Sequence, residues 1–481
     1  MSIALLDIFY LAAAVLFVFG LKGLNSPRTA RRGLVLTEIG MLLAIVGTLL
    51  RQEIVQFQWI LVGLVIGSTI GALMAIFMPM TAMPQRIAIS HAFGALAAML
   101  VGIVTYSEQV PHVAPVEMTA LGFEVLLGSL TVTGSLMAFG KLQELVPPVP
   151  VTFPFQNVVT LSLLVGAVGA FAYLIVNPDV VPLFFGVVVV GLVIGVLLVL
   201  PIGGADMPVV LALLNSYAGL AAAATGFAIG NNVLIVAGAL DGTSGFFLSM
   251  MMSHAMNRSF TNVLFGAVGA AKPAEQAETE EKTVIRYAAE DAAFILEQAQ
   301  SVIIVPGYGM AVAQAQQATA ELASLLRLRG TQVRFAIHPV AGRMPGHMNV
   351  LLAEANVPYE LLYEPEQIND DFRSTDVVMV VGANDVVNPA ARTKKDSPLF
   401  GMPILNADEA HTVIVLKRSL RPGFAGEDNE LFYDQKTMMV FGDAKTTLTT
   451  LIQLVKQETK RQPEQALDGS QSPQLAQSAS A

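Results

Sequence analysis

Val302-Ile303-Ile304-Val305-Pro306-Gly307-Tyr308-Gly309-Met310-Ala311-Val312 reads as a buried strand, a glycine turn and the start of a helix. Gly307 permits a tight turn after the strand, and Gly309 leaves room for backbone to approach a pyrophosphate. A helix beginning near Ala311 presents N–H donors and the positive end of its dipole to that anion. Tyr308 and Met310 complete the turn. Val312 stands where a third small residue is usual, which sets the helix slightly away from the strand. The expected ligand of residues 307–312 is a dinucleotide.

Around this turn, strands and helices alternate. Strands are predicted at Val302–Val305, Gln332–Ile337, Tyr359–Tyr363, Val377–Val381, Pro403–Asn406 and Val413–Leu416. Helices are predicted at 286–299, 311–328, 347–356, 366–372 and 444–458. The alternation predicts an α/β, Rossmann-like, doubly wound parallel sheet over residues 284–460, with its ligand at the carboxyl ends of the strands. An NAD site ordinarily carries Asp or Glu at the end of its second strand. Here that strand ends Phe335-Ala-Ile-His-Pro339, with no acid. Lys417, Arg418 and Ser419 follow the last predicted strand, and Arg343 adds another cation. Together they suit a 2′-phosphate, although Lys417 and Arg418 also read as a solvated strand end. Gly382-Ala383-Asn384-Asp385 follows the fourth strand and belongs over the same cleft. Asp385 is a candidate switch whose protonation tunes ligand binding, with an Asx-type turn before Pro389 as the plainer reading.

Ahead of this domain lies a different composition. The chain has 481 residues, of which 54% are hydrophobic and 13% charged, with a net charge of −10 and no cysteine. Disulfides, thiolate chemistry and Cys-ligated metal are thereby excluded, and no metal site is expected. The acidic balance argues against nucleic acid as a partner. Residues 1–260 carry few charges and nine apolar runs of membrane-spanning length, near 3–21, 34–50, 57–78, 87–106, 119–140, 158–177, 181–200, 207–229 and 233–252. The fold class is therefore a multi-span α-helical membrane domain of about nine helices, followed by the α/β domain. The first run has neither a basic leader nor a cleavage site and reads as a retained span. Residues 261–283 include the charged, aperiodic stretch 270–282 and read as a linker. Residues 461–481 read as a disordered tail.

Lys22, Arg28, Arg31, Arg32, Arg86, Lys141 and Arg258 fall on one side of the spans and Arg51 on the other, which predicts an outside N-terminus and a cytoplasmic α/β domain. Gly63, Gly67 and Gly71, and Gly191 and Gly195, are spaced for close helix packing. Asp241-Gly-Thr-Ser-Gly245 predicts a bend or a polar cavity in the ninth span. Polar groups within spans are costly in lipid and point to function. His91 and Asn215 lie at similar depth: the imidazole can carry a proton and the amide can orient it, although a packing histidine is also possible. Glu124, with Thr131, Thr133 and Ser135, would line a wet path to His91, or serve packing alone. Asp206 and Arg258 sit at span ends as interfacial charges or as contacts to the α/β domain.

Taken together, these segments resemble the β subunit of proton-translocating NAD(P) transhydrogenase over roughly residues 1–458. The resemblance is carried by Ser-His-Ala-Phe-Gly at His91, Gly-Gly-Ala-Asp-Met-Pro-Val-Val at Asp206, Leu-Leu-Asn-Ser-Tyr at Asn215, Ser-His-Ala-Met-Asn-Arg-Ser at Arg258, Pro-Gly-Tyr-Gly-Met-Ala-Val, His-Pro-Val-Ala-Gly-Arg-Met-Pro-Gly-His-Met-Asn-Val, Gly-Ala-Asn-Asp-Val-Val-Asn-Pro and Lys-Arg-Ser. It implies a bacterial inner-membrane protein that binds NADP(H). An α subunit would bring NAD(H) and further helices, and the αβ units would pair as a homodimer among membrane lipid. It implies hydride transfer from NADH to NADP+ driven by inward proton flow, with His91 and Asn215 on the proton path. Asp385 would couple that path to the nucleotide, and Lys417, Arg418 and Ser419 would hold the 2′-phosphate. Phe424 departs from the family's usual Tyr, which removes one hydroxyl contact over the nucleotide. The alternative is a transporter whose Rossmann-like domain only senses a nucleotide.

Overall fold

The structure, a computed structural model, describes residues 3–50, 57–147, 150–257, 259–265, 284–397, 399–423 and 425–468. The chain forms two compact units: residues 1–275 with 343–345, and residues 276–342 with 346–481.

Among the described residues, nine helices of the first unit are long and apolar enough to cross a membrane. They are α1 (Ile3–Gly23), α2 (Pro27–Leu49), α3 (Phe57–Phe77), α4 (Met83–Gln109), α5 (Pro115–Leu142), α6 (Gln156–Val176), α7 (Val181–Val199), α8 (Met207–Ala228) and α9 (Asn232–Ala255). A short α10 (Phe260–Phe265) follows. Proline occupies the first turn of α2, α4, α5, α7 and α8, where its missing N–H costs nothing. The start of α9 is capped instead by Asn231, which accepts from Leu234 N at 3.2 Å.

The centre of this unit is α5 and α8, the two spans most enclosed by their neighbours. On α7, side chains begun at Gly191 and Gly195 would run into Ser129 Oγ and Leu130 O of α5, so this pair supports close approach as expected. On α3, no residue is buried, and Gly63, Gly67 and Gly71 meet nothing within 4 Å. Their spacing serves no contact within the described chain. Lys141 is not a loop cation. It is 1% exposed in the last turn of α5, and its Nζ donates to Leu200 O at 2.6 Å and Ile202 O at 2.7 Å.

α9 runs as one continuous helix through Asp241-Gly-Thr-Ser-Gly245, the stretch where a bend or a polar cavity was expected. The glycines face α8. A side chain begun at Gly245 would lie 2.7 Å from Ser216 N, and one begun at Gly238 would lie 2.6 Å from Gly219 O. Ser216 Oγ donates to Gly242 O at 2.7 Å and Ser249 Oγ to Val209 O at 3.1 Å. Each such interhelical bond contributes on the order of 0.6 kcal/mol in a membrane. The polar and small residues therefore form the contact between α8 and α9.

The second unit holds a six-stranded, all-parallel sheet of order β3-β2-β1-β4-β5-β6. The strands are β1 (Ser301–Pro306), β2 (Gln332–Ala336), β3 (Leu362–Tyr363), β4 (Val377–Val381), β5 (Thr412–Lys417) and β6 (Thr437–Phe441). Every residue of β4 and nearly all of β1 is buried, as continuous apolar runs with both faces covered require. The helices are α11 (Ala289–Gln298), α12 (Tyr308–Val312), α13 (Gln316–Leu328), α14 (His347–Glu354), α15 (Pro365–Ile368), α16 (Ala390–Thr393) and α17 (Ala444–Asp468). The single helix expected over 311–328 is two, broken where Gln314 adopts φ +50°. Pro403–Asn406 is not a strand. Its backbone is tied off by Asn369, which donates to Ile404 O at 2.9 Å and accepts from Asn406 N at 3.2 Å. The last strand is instead the methionine-rich β6, paired parallel to β5.

Candidate functional site

β1 and β4 are neighbours at the point where the strand order reverses, which is where a doubly wound sheet opens a crevice at its carboxyl edge. The turns leaving these two strands are Pro306-Gly307-Tyr308-Gly309 and Gly382-Ala383-Asn384-Asp385. They pack backbone to backbone: Gly307 N donates to Val381 O at 2.9 Å and Gly309 N to Gly382 O at 2.8 Å. A Cβ at Gly307 would collide with Ala383, and one at Gly309 would sit 2.7 Å from Gly382 Cα. Gly382 has φ +66°, and a Cβ there would lie 2.5 Å from Gly309 Cα. All three positions therefore require glycine, two for space and one for conformation as well. Met310 and Ala311 are buried beneath the turn, whereas Tyr308 and Val312 reach its surface.

A second layer is built on the adjacent strand. Lys417 ends β5, and Arg418 and Ser419 follow it, both exposed. Lys417 Nζ reaches Arg421 O at 2.5 Å and lies 4.8 Å from the centre of the Phe432 ring. Burial pulls the Lys417 ammonium below its ordinary pKa, while Asp385 and Asp428 act the other way. The Asn384 amide, turned with its oxygen toward the donors, accepts from Gly423 N at 2.6 Å and Lys417 Nζ at 3.1 Å. Asp385 lies under the same loop: its Oδ2 accepts from Ala425 N at 3.0 Å, and its carboxylate fills the space a side chain at Gly423 would need.

The structure adds residues that the sequence did not single out. Asn429, 1% exposed, donates through Nδ2 to Asn384 O at 3.1 Å. Asn388 Nδ2 donates to Asp428 O at 3.1 Å, and Tyr433 Oη to Asp428 Oδ1 at 3.0 Å. Burial and the Asp428 carboxylate push the Tyr433 hydroxyl up to about 12. The polar run Glu427-Asp428-Asn429 after a Gly-rich loop was the available signal.

The position where an NAD site carries its acid holds His338 instead. The ring is 1% exposed, with Nε2 2.7 Å from Pro403 O and Nδ1 accepting from Val340 N at 3.3 Å. Burial holds its pKa below the ordinary histidine value, against the pull of Pro403 and Glu366, so it is neutral near pH 7. Arg343 is buried and groups with the first unit, where its Nη1 donates to Leu142 O at 2.9 Å. Phe424 and Arg258 lie outside the described residues.

In the first unit, His91 lies about two turns into α4 and Asn215 about two turns into α8. The two side chains interact, and His91 Nδ1 has no hydrogen-bond partner among the described residues. Asn215 Nδ2 donates to Asp241 Oδ1 of α9 at 3.1 Å. Glu124 is fully buried and accepts from Thr225 Oγ1 at 2.7 Å. Ser135 and Thr131 are buried on the same helix, and Thr133 Oγ1 donates to Leu192 O at 2.7 Å. Asp206 is 9% exposed just before α8. His91 and Asn215 are thus brought together, while Glu124 belongs to a separate contact with Thr225.

A family model described as NAD(P) transhydrogenase beta subunit matches residues 6–454. Two curated relatives, from Rhodospirillum rubrum and from its strain ATCC 11170, are both named NAD(P) transhydrogenase subunit beta. Each is 46% identical to this chain over 455 residues, covering 92% of this chain and 97% of the relative. With nine apolar helices followed by a sheet whose glycine turns interlock at its switch point, the chain belongs to the NAD(P) transhydrogenase beta subunit family.

Proposed function

We propose that this chain is the membrane and NADP(H)-binding subunit of a proton-translocating transhydrogenase, in which inward proton movement is coupled to hydride transfer from NADH to NADP+. The observation that carries the reading is the pair of interlocked glycine turns at the carboxyl ends of β1 and β4, with Lys417, Arg418 and Ser419 at the end of the neighbouring β5. The interlocked glycine turns lie at the carboxyl edge where this fold holds a dinucleotide's pyrophosphate, and the two cations with the hydroxyl suit a 2′-phosphate. His338, neutral and engaged with Pro403, offers no acceptor to a free ribose 2′-hydroxyl, which favours NADP(H) over NAD(H). The dinucleotide supplies the hydride chemistry when bound. The chain's own work is to hold it and to change how tightly it is held.

Asp385 is the group through which such a change acts. Its carboxylate organises the loop at Gly423 and Ala425 while facing Lys417. Adding a proton weakens both interactions and loosens the cover of the crevice. His91 and Asn215 are the proton-path residues of this reading, with Glu124, Ser135, Asp206 and Arg258 in lesser roles. An α partner, which the relatives' subunit-beta names imply, is the source of NAD(H) in this reading, and αβ units pair as a homodimer within lipid. The basic residues Lys22, Arg28, Arg31, Arg32 and Arg86 support a reading in which the sheet domain lies on the cytoplasmic side of a bacterial inner membrane and the N-terminus outside.

The test is hydride transfer from NADH to an NADP+ analogue in vesicles holding the chain with its α partner. His91→Lys and Asp385→Asn should each abolish the response of turnover to the proton motive force. Unchanged turnover and response would refute the coupling. Residues 284–460 alone should bind NADP(H) about 100-fold more tightly than NAD(H), the worth of one or two charge-assisted hydrogen bonds. Equal affinities would remove the 2′-phosphate assignment.

A further inference from the structure

Asp241 is a carboxylate in the middle of α9, and its side chain is exposed. An ionised carboxylate cannot face hydrocarbon at that depth without a cost of at least about 2.5 kcal/mol. In the membrane it must therefore meet water or a polar partner helix. Among the described residues, its side-chain hydrogen-bond partner is Asn215, whose Nδ2 donates to Oδ1 at 3.1 Å. Asn215 in turn interacts with His91, so the amide stands between a carboxylate and an imidazole, each able to carry a proton.

Among the described residues, α9 itself adds only His254 in its last turn, and the helices packed on it bring few other titratable groups. The titratable group of α8 is Tyr217. Those of α1 are Asp7, Tyr10 and Lys22, of which Tyr10 is within 3.1 Å of Thr48 Oγ1, and α10 has none. Among the described residues, Asp241 makes no ion pair. The close α8–α9 seam at Gly219, Gly238, Gly242 and Gly245 fixes the carboxylate against Asn215.

We propose that Asp241 is a proton-carrying residue of the membrane path, exchanging with His91 across Asn215. The inference rests on the proton-coupled reading above. The carboxylate takes a proton from water on one side, forming an O–H bond. That proton passes to the lone pair of a neutral His91 ring nitrogen, directly or through one water, restoring the carboxylate and leaving an imidazolium. The imidazolium then releases it toward the opposite side. Asn215 does not titrate and only holds the pair in register.

The test uses the full complex with its α partner in proteoliposomes. An entrapped pH dye reports proton movement while hydride turnover is followed by absorbance. Asp241→Asn is isosteric and keeps an oxygen for Asn215. It should cut protons moved per hydride at least tenfold and remove one limb from the pH profile of coupled turnover, while Asp241→Glu should restore most of both. An Asp241→Asn complex that moves protons within twofold of the unaltered one, with the same pH profile, overturns the assignment. If Asp241→Asn also loses NADP(H) binding, Asp241→Glu decides: a complex that binds nucleotide but moves no more protons than Asp241→Asn overturns it equally. Should the unaltered complex transfer hydride without moving protons, the coupling reading fails instead, and the two failures are distinct.

Discussion

Gly63, Gly67 and Gly71 of α3 meet no atom within 4 Å of where a side chain would begin. In contrast, Gly238, Gly242 and Gly245 of α9 each lie against the backbone of α8, and Gly307, Gly309 and Gly382 of the sheet domain lie against one another. Glycine spacing on a helix shows only that close approach is possible. A neighbouring element decides whether the room is used, and in the sheet domain the positive φ of Gly382 adds a conformational demand that spacing does not encode.

This contrast can be broken by substitution. The largest effect is expected at the crevice. Gly382→Val combines strain at φ +66° with backbone collision at Gly309, together costing about 3–6 kcal/mol. Denaturant unfolding of the sheet domain should fall accordingly, and nucleotide binding should be lost. Gly242→Leu, against Leu220 N, should destabilise the membrane unit by about 1–3 kcal/mol in a detergent thermal-shift assay. Thr225→Val should cost a similar or smaller amount, about 1–3 kcal/mol, by taking the hydroxyl donor from the buried Glu124 Oε1. The same assay reads it, and Thr225→Ser should recover most of the loss.

A smaller effect is expected at Tyr433, whose hydroxyl is raised from 10.0 to about 12. The folded state then holds a proton that the unfolded state has released between those values. Stability present below pH 10 is therefore lost as pH rises toward about 12. Tyr433→Phe should flatten that alkaline decline, and a tyrosinate absorbance titration of the native domain should show one phenol lagging the rest. Gly67→Leu should be neutral within about 0.5 kcal/mol for the isolated chain. A larger penalty appearing only in the assembled complex would sharpen the comparison, since it would place another chain's helix against α3.

Much of the architecture was legible because the governing signals are local. Nine apolar runs of spanning length, and the buried strand with its glycine turn at Val302–Val312, need no knowledge of distant neighbours. The errors arose where tertiary partners decide. Pro403–Asn406 carries strand-like residues, but Asn369 and His338 bond its backbone before any strand can. Thr437–Phe441 reads weakly because of its methionines, yet the free edge of β5 pairs it. Asp241-Gly-Thr-Ser-Gly245 suggested a bend or a polar cavity because glycine and hydroxyls are unfavourable on an isolated helix. Against α8 they become contact surface. At the site, the glycines, Asp385 and Lys417 were visible by type and spacing. Asn429 and Asp428 were not, because their importance lies in which backbone groups they reach across the fold.

The seam between α8 and α9 has one more consequence. The 3.1 Å separation of Asn215 from Asp241 is gauged by absent atoms, since the helices stop approaching only when main chain meets main chain at Gly219, Gly238, Gly242 and Gly245. A spacing set in this way tolerates no drift. Side chains can shuffle among rotamers to absorb a neighbour's change, but a backbone stop has no slack to give. Any methyl group added along that line acts as a shim, prying the amide from the carboxylate without touching either of them.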